Sequence, residues 1–62
     1  MIKNYDNTYV KVLSDIPDHT GLGYFAHRGQ QILVVVKMQD TSFCRNAKGL
    51  TAVVPNYYLI FE

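Results

Sequence analysis

An all-β domain, a small barrel or sandwich, is the architecture this sequence predicts, and three observations lead there. Apolar and polar residues alternate at the two-residue period of strands. The apolar runs are short and rich in β-branched residues. Clusters of Gly, Pro, Asn and Asp punctuate them at close intervals. No stretch supports a helix longer than one turn. At 62 residues the chain is one domain at most, and a domain this small buries only about 60% of its unfolded surface.

The elements follow in order. Residues 1–7 read as a weakly ordered lead-in. From Thr8 the order Thr-Tyr-Val-Lys-Val-Leu alternates, with Val10 and Val12 on one face and Lys11 opposite. SDIPDHTGLG is dense in turn-forming residues and long for a hairpin, so it reads as a functional loop. Tyr24-Phe25-Ala26 is its returning strand. Gly29 then precedes QILVVVKM, whose β-branched content makes it the strongest strand. Strict alternation places Ile32, Val34 and Val36 on one face, and Leu33, Val35 and Lys37 on the other. Gln39-Asp40-Thr41 is a turn and Ser42–Asn46 a strand. Ala47-Lys48-Gly49 is a hairpin connection with glycine where positive φ is needed. Thr51–Val54 is the next strand, and Pro55 ends it because proline cannot donate to the ladder. Asn56-Tyr57 suits a single helical turn, and Leu59-Ile60-Phe61 is a last short strand.

Composition narrows the function. Cys44 is the only cysteine, so no internal disulfide forms, and its plainest role is that of a small buried hydrophobe. His19, His27 and one thiol lack the paired spacing of a zinc site, and no metal or cofactor is expected. Stability must come from apolar packing, for which a 48% hydrophobic content suffices. A net charge of +1 is too balanced to drive nucleic-acid binding. The longest apolar runs fall far short of a membrane span of about 20 residues. One unpaired thiol and no leader-like segment fit a cytoplasmic module. No nucleophile–base pair, carboxylate pair or glycine-rich phosphate loop indicates an enzyme.

The order of elements and the stretch AVVPNYYL resemble SH3 domains, whose chains end in an aliphatic-Pro-x-Asn-Tyr-aliphatic motif. Counting back from Gly29 lays Val12-Leu13-Ser14-Asp15-Ile16 on the family's ALYDY segment, and His27-Arg28-Gly29 on its basic-basic-Gly turn. CRNAKG is similar to the arm before the distal hairpin, with the helical SH3 domains of adhesion- and degranulation-promoting adaptors nearest in kind. The resemblance covers nearly all of the chain. It implies a five-stranded SH3-like barrel with one short 3-10 turn near residues 55–58. Val10, Val12, Ile32, Val34, Cys44, Val54 and Leu59 would point inward, with Tyr24 and Ala26 filling the loop side.

It also implies a signalling or adaptor module that binds peptides in a groove. SH3 grooves hold polyproline-II peptides between aromatic rings. Here Thr41 and Ser42 stand where two tryptophans belong, Ser14 and Ile16 replace two tyrosines, Gly23 replaces the loop acid and Tyr57 the asparagine. Only Pro55 and Tyr58 match. The expected ligand-binding set is therefore Tyr58, Pro55, Tyr57, Ser14, Ile16, Asp15, Asp18 and Thr41, in a degenerate groove that does not take a standard PxxP motif. Aromatic anchors dominate such affinities, and most are gone.

A second surface is predicted on the outer sheet face, where Leu33, Val35 and Phe43 would form an apolar patch for a dimer, an intramolecular contact or a folded protein partner. The alternative function is a small barrel that binds nucleic acid or acidic lipid through Lys11, Lys37, Arg45 and Lys48. Near-neutral charge argues against nucleic acid, and acidic lipid stays open as a partner.

Overall fold

The computed structural model describes residues 4–61, and strands dominate it. In chain order they are β1 (Thr8–Val12), β2 (Ile16–Pro17), β3 (Tyr24–Ala26), β4 (Gln31–Lys37), β5 (Thr41–Arg45), β6 (Thr51–Pro55) and β7 (Leu59–Ile60). A 3-10 turn spans Asn56–Tyr58. Among the described residues the strands form an antiparallel five-stranded sheet, ordered β6-β5-β4-β1-β7, and a two-stranded one of β2 and β3. The all-β expectation holds, and so does the turn after Pro55. β2 was not foreseen: it lies inside the long polar stretch and pairs with β3 to make that loop a hairpin.

The connection from β6 to β7 dictates the shape of the large sheet. These strands occupy opposite edges, yet only Asn56–Tyr58 separate them. In a flat sheet the two edges would stand about 19 Å apart. The connection reaches at most about 14 Å even fully extended. The sheet must therefore coil until its edges approach, in the direction strand twist already favours.

Val10, Val12, Ile32, Val34, Cys44, Val54 and Leu59, the positions the resemblance pointed inward, are all buried. Ile16, Phe25 and Ala26 complete this core, and Tyr58 and Phe61 pack against it. Two placements differ from the sequence reading, and an irregular register accounts for each. Tyr24 is 56% exposed, whereas Phe25 is buried beside Ala26. Ile16 faces Ala26 but Pro17 faces Tyr24, so Phe25 is an extra residue and strict alternation fails there. In β4, Val34 pairs with Cys44 while Val36 pairs with Phe43, which leaves Val35 as the bulge. Val36 consequently leaves the face of Ile32 and Val34 and joins the exposed one.

Residues 5–7 contact the rest of the domain. The Tyr5 ring meets Phe61 edge-on at 4.9 Å, and the Asp6 carboxylate accepts the Lys37 backbone N–H at 3.0 Å. The part of the lead-in over residues 1–3 lies outside the described residues.

Gly49 closes the β5–β6 hairpin at φ +84°, as its position suggested. A Cβ there would meet nothing nearer than the Arg45 guanidinium at 3.7 Å, so only backbone strain opposes substitution. Gly49→Ala is expected to cost about 1–2 kcal/mol, read as a lower urea midpoint. An unchanged midpoint would show that the hairpin can relax to negative φ.

Candidate functional site

The 3-10 turn is fixed by Asn56, a residue the sequence reading used only as a turn former. Its side-chain oxygen accepts the Ser42 hydroxyl at 2.5 Å, and its amide donates to the carbonyls of Met38 and Gln39, each at 3.1 Å. The Asn56 backbone N–H reaches the Asp40 carbonyl at 2.9 Å. One side chain thus ties the β4–β5 turn to the start of the 3-10 turn. Ser42, fully buried, is the polar residue where the resemblance expected a groove tryptophan, and this clamp explains its burial.

The turn presents Tyr57 and Tyr58 with ring centroids 4.9 Å apart and planes tilted by 32°. Tyr57 is 74% exposed, while Tyr58 is half-buried against the core. The Tyr58 carbonyl accepts the Leu13 N–H at 2.7 Å, which brings Ser14 to the same end of the sheet. Pro55 stands opposite Thr41 in the β5–β6 register, and both are half-buried. Five members of the expected set therefore gather near the turn: Ser14, Thr41, Pro55, Tyr57 and Tyr58.

The other three have local duties. Ile16 is a core residue and offers a ligand almost nothing. One Asp15 oxygen accepts the Arg28 backbone N–H at 2.7 Å and lies 3.6 Å from His27 Nδ1, which binds it to the turn before β4. Asp18 organises the hairpin tip, where its Oδ1 accepts the Thr20 hydroxyl at 2.6 Å, the Thr20 N–H at 3.0 Å and the Gly21 N–H at 3.1 Å.

The Thr20 hydroxyl bond, aided by the backbone N–H groups of Thr20, Gly21 and Gly23, holds the Asp18 carboxyl below its ordinary value despite some opposing desolvation. The sign follows from linkage. A lowered folded pKa adds stability above the unfolded-state value, and that contribution fades as pH falls through the lowered one. The amide shifts of Thr20 and Gly21 should titrate with a midpoint below that of a free aspartate, and Asp18→Asn should abolish the step. A midpoint at or above the free value would show that the tip does not hold the carboxylate.

The outer face carries an apolar row. Val36, Phe43 and Val53 are cross-strand neighbours on β4, β5 and β6, and all are exposed. Of the surface trio predicted from sequence, Phe43 lies in this row. Leu33 sits beside Tyr9 and Arg45 and is half-buried, as is Val35. Val36 was missed because no sequence signal marked the bulge, whereas the outward placement of Val53 follows from plain alternation with the buried Val54. Of the four predicted cations, Lys37 lies 5.1 Å from the centre of the Phe61 ring.

A cleft of about 410 Å³ runs between Ile16–His19 and Thr51–Val54. Another, of about 370 Å³, lies between residues 24–27 and the 46–48 hairpin. Burial pushes the Cys44 thiol up to about 11, so it is inert at neutral pH. Among the described residues, no group of acidic, histidine or cysteine side chains is arranged to hold a metal, and no helix is long and apolar enough to cross a membrane. Comparison with family models, curated proteins and solved structures found no match for the chain.

Proposed function

We propose that this chain is an SH3-like small barrel that serves as a non-catalytic interaction module in an intracellular adaptor or signalling protein. The strand order, with the two sheet edges joined by one 3-10 turn, supports the barrel reading. The proline-binding groove is degenerate: Tyr57, Tyr58, Pro55 and Thr41 form one wall, while Ile16 is buried and Asp15 is engaged with the turn before β4. The observation that carries the function is the row Val36–Phe43–Val53, three exposed apolar side chains in register across three strands. Such a surface is an open apolar sheet face, which suits the face of a folded protein better than a threaded peptide.

Site-specific photocrosslinking in cells tests this reading. A benzoyl-phenylalanine in place of Phe43 should give a discrete adduct that the same probe at Gln30 does not give. Addition of Val36→Lys and Val53→Lys to the Phe43 probe protein should remove the adduct. Equal adducts from both probe positions, or none at position 43, would overturn the proposal.

A further inference from the structure

The free edge of β6 carries a different kind of site. Backbone bonds fix which of its residues point outward. Asn46 N–H donates to the Leu50 carbonyl, and Asn56 N–H to the Asp40 carbonyl, each at 2.9 Å. Both pairs obey the register of β5 with β6, so hydrogen-bonded pairs alternate inward from each end. Ala52 and Val54 therefore bond to β5, and the N–H and C=O groups of Thr51 and Val53 point away from it. Pro55 blunts the far end, since it has no N–H.

Among the described residues, no further strand pairs with this edge. The Ile16–His19 segment stands off from it across the 410 Å³ cleft, which leaves a slot with a strand edge on one side and the loop hairpin on the other. Two identical β6 edges could not share it, because a second copy would bring its own hairpin into the space. A lone extended chain avoids that conflict. Charge at the slot adds a preference: the Asp18 carboxylate lines it.

We propose that the β6 edge accepts an extended peptide as an added strand, through the backbone groups of Thr51 and Val53, with a basic side chain of that peptide beside Asp18. Main-chain pairing would supply the affinity, and β-branched side chains would fit the pleat next to Val53. This site rests on backbone geometry and does not depend on the outer-face reading.

Amide hydrogen exchange followed by NMR tests it, with the capped peptide Lys-Val-Thr-Val-Thr-Val-Lys as probe. In the free protein the Thr51 and Val53 amides should exchange much faster than those of Ala52 and Val54. With peptide at about ten times its Kd, only about one molecule in eleven keeps an open edge, so both fast amides should slow about tenfold. The same peptide N-methylated at its five central residues should give no protection, and replacing its lysines with glutamates should weaken binding severalfold. Protection of Thr51 and Val53 already present in the free protein, no slowing with peptide, or equal slowing by the N-methylated peptide would overturn the strand addition. Equal binding of the glutamate peptide would overturn the role of Asp18.

Discussion

Ile32→Ala is expected to leave much of the protein unfolded at 25 °C. Ile32 is the largest of the fully enclosed side chains and lies in β4, the strand that joins β1 to β5. Truncating such a residue removes its transfer free energy and leaves a cavity, together about 3 kcal/mol. A core in a domain this small rarely supplies more than about 3–5 kcal/mol, and with Cys44 the only cysteine no internal disulfide supplements it. Far-UV circular dichroism against urea would show the loss as a midpoint lowered by about 2 M or more, given a slope near 1 kcal/mol/M. A midpoint lowered by less than about 0.5 M would mean that the core does not centre on β4.

Asn56→Ala should produce the next largest effect, about 2–3 kcal/mol. The Met38 and Gln39 carbonyls can turn to water, but the Ser42 hydroxyl is sealed in the core and would lose its partner. An unpaired buried hydroxyl costs more than the bond itself contributes. The signature is non-additivity. Ser42→Ala removes the hydroxyl that needs a partner, so the double variant should be less destabilised than the two single changes summed, by about 1 kcal/mol. Strict additivity would show that Ser42 and Asn56 do not act as a unit.

These two residues show which parts of the fold were legible in the sequence. Ile32 was readable because β4 alternates cleanly up to Val34, and alternation reports burial wherever the ladder is regular. The seven inward positions that the resemblance implied, on β1, β4, β5, β6 and β7, all lie where the ladder is regular. Alternation failed at Phe25 and at Val35–Val36, where one strand carries an extra residue. A bulge has no composition of its own in these stretches, because neither contains the glycine that often marks one.

Asn56 was hidden for another reason: an asparagine after proline reads as a turn former, and its partners lie 14 to 18 residues away. Much the same holds for the candidate site. Tyr57, Tyr58 and Pro55 gather because they are adjacent in the chain, whereas the departure of Ile16 into the core depends on a hairpin whose first strand is two residues long. Local motifs could be read, but the wall contributed by a distant loop could not.

The Tyr5–Phe61 contact has a mechanical consequence. β1 and β7 run antiparallel, with Lys11 opposite Ile60 and Val12 opposite Leu59, so residues 5 and 61 emerge at the same end of that pair. A force that draws them apart acts across the strands rather than along them. It loads the hydrogen bonds one after another, as in opening a zip, and never all of them in parallel shear. β7 is only two residues long, so few bonds resist before it peels away and exposes Leu59 and the edge of β1. Held by both ends in a chain under tension, the domain would be a weak link that yields early, from its last strand inward.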